Sequence, residues 1–140
     1  MAANEVYKEV LLDHFKHPRN RGDLSKANFL QRGSNPRCGD DIEVGLFLQN
    51  GVLQQVKFRG RGCSVCLASS SMMTEVVSGH SVNEANRLCT QMEQWFETKD
   101  SSQNDCIKGL EALAAVREHP ARHRCVMLPW KALSDGLAKI

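Results

Sequence analysis

The period of the apolar positions changes twice along this chain. Val6, Tyr7, Val10, Leu11 and the His14-Phe15 pair recur at helical spacing, which predicts an amphipathic helix over about Asn4 to Lys16. His17-Pro18-Arg19-Asn20-Arg21-Gly22 ends it, because the residue before proline disfavours helical dihedrals and glycine relaxes the turn. Between Ala27 and Gly60 the period drops to two. Ile42, Val44, Leu46 and Leu48 alternate with Glu43, Gly45, Phe47 and Gln49, and Val52, Gln54, Val56 and Phe58 keep the same rhythm. Asn50-Gly51 between them is a two-residue hairpin signal, since a type I′ turn needs positive φ at both positions. Asn28 to Gln31 is a weaker candidate for a third strand.

After Gly62 the helical period returns. Cys63 to Ser78 carries Cys66, Leu67, Met72, Met73, Val76 and Val77, and ends near Gly79. Ser81-Val82-Asn83-Glu84 fits a capping box opening a helix through Cys89, Met92, Trp95 and Phe96. Lys99 to Asp105 is polar and reads as a loop. A further helix is expected over about Cys106 to Glu118. The last one carries Trp130, Leu133 and Leu137, with Pro129 in its first turn. Helix, antiparallel strands, then helices predict one α+β domain over residues 1–140, a sheet of about three strands packed by helices.

Charge narrows the function classes. The net charge of +2 comes from 18 basic and 16 acidic side chains, without the concentrated basic face of a nucleic-acid binder, so no nucleic-acid partner is expected. No apolar stretch approaches the roughly 20 residues of a membrane span, and Met1 to Lys8 lacks the basic start and apolar run of a signal peptide. The expectation is a cytoplasmic protein, without membrane association, whose six cysteines stay reduced rather than forming a disulfide framework. The cationic runs Lys57 to Arg61 and Arg122-His123-Arg124 each adjoin a cysteine. For Lys57 a solvated surface suffices; for Arg61, Arg122 and Arg124, thiolate stabilisation or docking of an acidic partner is equally open.

Three cysteines stand in unlike settings: Cys38 in Asn35-Pro36-Arg37-Cys38-Gly39-Asp40, Cys63 in Gly60-Arg61-Gly62-Cys63-Ser64, and Cys125 after Arg122-His123-Arg124. Cys38 and Asp40 are two apart where the chain enters a strand, so thiolate and carboxylate can face one way, with Gly39 leaving the approach clear. Antiparallel folding returns Cys63 towards Cys38, ahead of a helix whose positive N-terminus favours thiolate. Cys125 falls shortly before the last helix. Three thiolates and a carboxylate make a tetrahedral set suited to Zn2+. Cys66 is a rival ligand, because Cys63-Ser64-Val65-Cys66 is the single C-x-x-C of the chain. Cys89 and Cys106 sit among apolar helical residues and read as buried, inert thiols. His14 and His17 read as helix-surface or capping residues, and His123 as exposed rather than a ligand.

At these residues the chain resembles the IscU/NifU-N family of iron–sulfur cluster assembly proteins, and most closely its SufU branch. The resemblance runs nearly end to end. It rests on Val6-Tyr7 through Gly22, Asn35 to Asp40, Gly60 to Ser64 with Ala68 to Glu75, and Pro120 through Cys125 to Leu133. It implies an IscU/SufE-like fold and the ligand set Cys38, Asp40, Cys63 and Cys125. It also implies Cys38 as sulfur acceptor and Arg122 as a cation beside the site, used with the partner enzyme.

Two roles within the family remain open. A SufU-like protein holds zinc and accepts sulfur from a SufS-type cysteine desulfurase for downstream iron–sulfur assembly proteins. An IscU-like protein builds a [2Fe–2S] cluster on the same cysteines. The interval from Ser81 to Asp105, resembling the SufU insertion, and His119 to His123, standing where IscU proteins carry a chaperone-binding motif, favour the first. Cys66 and Pro129 depart from the SufU pattern. The expected mechanism has zinc keep the thiolates deprotonated while docking frees Cys38 to attack a persulfide. That is a sulfurtransferase-like carrier or scaffold rather than a stand-alone enzyme. From another class, a zinc-stabilised interaction module fits the same ligands without sulfur chemistry.

Overall fold

The structure is a computed structural model and describes residues 2–97 and 106–140; the polar stretch Lys99 to Asp105 lies outside them. Helix α1, Ala2–Lys16, is followed by strands β1 (Phe29–Asn35), β2 (Asp40–Gln49) and β3 (Val52–Arg61). Helices α2 (Ser64–Val77) and α3 (Val82–Glu97), a 3₁₀ helix (Glu111–Glu118) and helix α4 (Pro120–Leu137) complete it. The three strands form one antiparallel sheet in the order β1-β2-β3. The expected α+β class and three-stranded sheet are therefore observed.

The hairpin forms where the alternation and Asn50-Gly51 put it, with φ of 53° and 75° at the two turn residues. The alternation of β2 is interrupted by a register shift between Phe47 and Leu48, so Ile42, Val44 and Leu46 are buried while Leu48 is half-buried. The weak third strand is longer than Asn28 to Gln31 suggests. β1 pairs along its full length with β2, from Phe29↔Leu46 to Asn35↔Asp40, and the Arg32 guanidinium grips both Asp41 oxygens across that pair, at 2.8 and 2.6 Å.

One sheet face packs on α2, whose Cys66 to Thr74 are all buried. A helix buried over nine consecutive residues is a core element, and α2 has α1 and α4 against it. The three serines in its middle are buried and satisfied, as desolvated hydroxyls must be. Ser69 donates to the Val126 carbonyl at 2.7 Å, Ser70 to Cys66 O at 2.8 Å, and Ser71 Oγ lies 2.8 Å from both His14 Nδ1 and the Arg19 amide.

Four expectations need correction. His14 is 8% exposed and held against α2, whereas Phe15, grouped with the apolar face, is half in solvent at 37%. Glu84 N–H does bond Ser81 Oγ at 3.1 Å, but the Glu84 carboxylate turns to Ser81 Oγ and the His80 ring instead of the Ser81 amide. The helix expected from Cys106 begins only at Glu111 and is 3₁₀, because Gly109 at φ 98° breaks helical dihedrals before it. Finally, α4 opens at Pro120, so Cys125 lies inside the helix and the buried Pro129 is an internal proline. Proline suits the first helical turn, and the chain offers two; Pro120 takes that position while Pro129, Trp130 and Leu133 are held by the core.

Candidate metal and sulfur site

The site forms at the end of the sheet remote from the Asn50-Gly51 hairpin. Cys38 is exposed on the turn between β1 and β2, where its amide bonds Asn35 O at 3.1 Å and Gly39 turns at φ 69°. The expected extended backbone from Cys38 to Asp40 is therefore a tight turn. The turn, rather than a shared strand face, brings the two side chains together. Gly39 serves it by its dihedral, since a side chain there would meet nothing within 4 Å.

Asp40 begins β2 and is 1% exposed. Its Oδ1 accepts the Cys63 amide at 2.8 Å, which fixes the carboxylate against the start of α2. Its Oδ2 is buried without a hydrogen-bond partner. A desolvated carboxylate oxygen with nothing to accept is costly, and such an atom marks a place where a cation belongs. Cys125 reaches the same point from α4, with its Sγ 3.3 Å from Cys38 Sγ. The ligand atoms of Cys38, Asp40 and Cys125 all lie within 4.8 Å of one another.

Cys63 stands beside this trio rather than within it. It is the N-cap of α2, and its Sγ accepts the Cys66 amide at 3.5 Å, as expected of a sulfur at a helix N-terminus. Burial first, then the Cys38 and Cys63 thiols and the Asp40 carboxylate, push the Cys125 thiol far above the ordinary range. Crowded sulfurs beside a carboxylate with one unpartnered oxygen are unfavourable as four anions alone. A divalent soft-to-borderline cation removes that conflict, so the donor set fits zinc.

Local backbone chemistry presents Cys125. Pro129 stands four residues on and has no N–H to return to the Cys125 carbonyl, while the next carbonyl, of Val126, takes the Ser69 hydroxyl. Ser69 thus ties the cysteine-bearing turn of α4 to α2. A serine triplet in the buried stretch of a helix is a sequence signal for such ties, which the resemblance alone does not interpret.

The other candidates separate cleanly. Cys66 is fully buried, with its thiol pushed up to about 12 by burial first and then by Asp40. Cys89 is buried and pushed up to about 12 by burial first and then by Glu93. Cys106 is half-buried rather than buried, at about 11. His123 is half-buried, not exposed: its Nε2 lies 2.8 Å from Arg117 O and its ring packs edge-on to Phe96. Arg122 and Arg124 are exposed on the first turns of α4, one and three residues ahead of Cys125 in reverse order. All six cysteines are free, and no helix among the described residues is long and apolar enough to cross a membrane.

Comparison with known proteins agrees with this architecture. The NifU-like N terminal domain matches residues 6–139. The chain is 36% identical over 134 residues to the zinc-dependent sulfurtransferase SufU of Bacillus subtilis, covering 96% of this chain and 90% of that one. It is 32% identical over 140 residues to the iron–sulfur cluster assembly scaffold protein IscU of Thermotoga maritima, covering 100% and 98%. A crystal structure from Fervidobacterium islandicum AW-1, described as a candidate iron–sulfur cluster assembly scaffold of the SUF system, superposes with a TM-score of 0.84. It shares 28% identity and covers 96% of this chain and 98% of that one. With the site geometry, the fold and the match from residue 6 to residue 139 in agreement, this chain belongs to the NifU-like N-terminal domain family.

Proposed function

We propose that this protein is a cytoplasmic, zinc-holding sulfur acceptor. On this reading it takes persulfide sulfur from a SufS-type cysteine desulfurase on Cys38 and passes it to downstream iron–sulfur assembly proteins. The observation that carries the reading is the exposed Cys38 thiol, 3.3 Å from buried Cys125 and beside an Asp40 oxygen with no partner. Cys38, Asp40, Cys63 and Cys125 would hold the ion. Bound zinc supplies a charge that keeps thiolates deprotonated, without redox activity of its own.

The chain's residues do the rest. The turn presents Cys38 outwards, where a partner's persulfide can reach it. The Cys38 thiolate attacks the terminal sulfur of that persulfide; a new S–S bond forms at Cys38, the partner's S–S bond breaks, and its thiolate departs. Sulfur changes hands with no net oxidation. Exposed Arg122 is available to draw in the anionic partner surface or steady the freed thiolate. The SufU relative is named for zinc-dependent sulfur transfer, which supports this role.

The full-length IscU match favours a second reading, assembly of a [2Fe–2S] cluster on the same thiols. Protein purified anaerobically distinguishes them: zinc and no colour for transfer, stoichiometric iron and sulfide with visible absorption for scaffolding. Incubation with a SufS-type desulfurase, its pyridoxal phosphate and cysteine should leave extra sulfur on Cys38, read by mass spectrometry, and accelerate the desulfurase. Cys38→Ser should abolish both. Acceleration that persists in Cys38→Ser would overturn the acceptor assignment.

A further inference from the structure

A fourth sulfur borders the site and has no part in the scheme above. Cys66 follows Cys63 by one helical turn and is completely buried, yet its surroundings are those of the site as much as of the core. A side chain on Gly62 would begin 3.2 Å from Cys66 Sγ and 2.9 Å from Asp40 Oδ1, so Cys66 and the carboxylate that accepts the Cys63 amide both press against this glycine. The Cys66 amide already donates to Cys63 Sγ at 3.5 Å. Two cysteines three residues apart at the start of a helix have the ligand spacing of structural zinc sites.

A tetrahedral ion held by Cys38, Asp40, Cys63 and Cys125 leaves Cys66 without a position. A position opens when Cys38 takes up sulfur, because a thiol cannot at once hold the ion firmly and attack a persulfide. We propose that Cys66 is a reserve metal ligand, replacing Cys38 as third thiolate while Cys38 carries sulfur, so that the ion stays on the chain through transfer. The exchange balances without redox chemistry: Cys66 gives its thiol proton to solvent as it binds, and the Cys38 sulfur is released. Gly62 permits the close approach, since any larger residue would put a carbon against both Cys66 Sγ and the Asp40 carboxylate. Buried Cys89, whose thiol lies 3.9 Å from the Trp130 carbonyl within the apolar core, borders none of the site residues and has no such role.

This inference rests on the metal-site reading given above, and cobalt(II) titration of the full chain tests the two separately. Thiolate-to-cobalt charge-transfer intensity counts the sulfurs bound, and the visible bands report tetrahedral geometry. Wild type and Cys66→Val should show the same three-thiolate spectrum. Cys38→Ser should keep three-thiolate intensity, because Cys66 replaces the lost sulfur. Cys38→Ser with Cys66→Val should lose about one-third of that intensity and bind cobalt roughly 10-fold or more weakly than Cys38→Ser alone. If the valine disturbs folding, seen as a lowered melting temperature, Cys66→Ser makes the same comparison, since its hydroxyl does not act as a thiolate. A Cys38→Ser spectrum already reduced to two thiolates, with no further loss on changing Cys66, would overturn the reserve-ligand proposal and leave the site standing. Absence of any thiolate-to-cobalt band in wild type would overturn both.

Discussion

The two ends of the sheet are built on opposite principles. At the Asn50-Gly51 end the polar groups are closed off by the loop after α2. Leu53 N bonds His80 O at 2.9 Å, Gly79 N bonds Leu53 O at 2.7 Å, and Val82 N bonds Gly51 O at 3.1 Å. At the other end, one cysteine is exposed on its turn, a second faces it across 3.3 Å, and a buried carboxylate oxygen has no partner. Both ends are hairpin-like connections of the same sheet. One satisfies its polar groups; the other satisfies its turn but leaves one buried carboxylate oxygen open, and an atom left open at a cost in stability is where binding chemistry belongs.

The sharpest way to break the contrast is through glycine. A Cβ on Gly60, at φ 126°, would lie 2.2 Å from Asp41 O and 2.8 Å from Ile42 Cα, both backbone atoms that cannot swing aside. Gly60→Ala should destabilise the fold by at least about 3 kcal/mol, read from the urea midpoint. At the closed end, Gly51 has φ 75° and nothing within 4 Å of an added Cβ, so Gly51→Ala should cost only about 1 kcal/mol. Equal losses at the two glycines would remove steric closeness as the difference between the ends.

Metal binding should divide the ends next. Cys125→Ser and Asp40→Asn should each lower zinc affinity by at least the ~100-fold that supporting changes alone can cause in metal sites, measured by competition with a chromophoric chelator. Ser81→Ala at the closed end should leave it unchanged. Thiol labelling of apoprotein is a finer probe. Exposed Cys38 should react within the time in which Cys89, buried and pushed to about 12, does not. Rapid labelling of Cys89 would mean that the core opens as readily as the site.

The smallest expected effect lies between the ends, at His14. Burial first, and then the Arg19 charge, hold its pKa below 6.5 in the folded chain, against the opposing pull of Glu75. The unfolded chain therefore takes up the proton more readily. Stability contributed by neutral His14 is present above pH 6.5 and lost as pH falls through the lowered folded pKa. His14→Gln should flatten that limb of the stability–pH curve, and an unchanged limb would assign the acid sensitivity to other groups.

Some of this molecule is legible in its sequence for local reasons. The hairpin follows from a period of two and a turn dipeptide, neither of which needs distant contacts. The meeting of Cys38, Asp40 and Cys125 follows from residue chemistry and from resemblance to a known family, which carries information that periodicity does not. What escapes is decided at a distance. Pro129 inside α4 contradicts a first-turn rule because the core packs around it, and the partners of His14 and Ser71 are joined only when α1 lies on α2. The Cys38 turn escapes because an i, i+2 pair looks the same to a sequence reader whether the backbone is extended or folded back.

Cys38, Cys63 and Cys125 belong to the first sheet turn, the start of α2 and the interior of α4. An ion held by all three is a branch point in the connectivity of the chain, closing two long loops at one atom. A clip across loops of dozens of residues withdraws on the order of 3–5 kcal/mol of freedom from the unfolded ensemble. The side chains proposed to handle sulfur would then also be the fastening between the last helix and the sheet, and a molecule stripped of its ion would be, by topology, a slacker one.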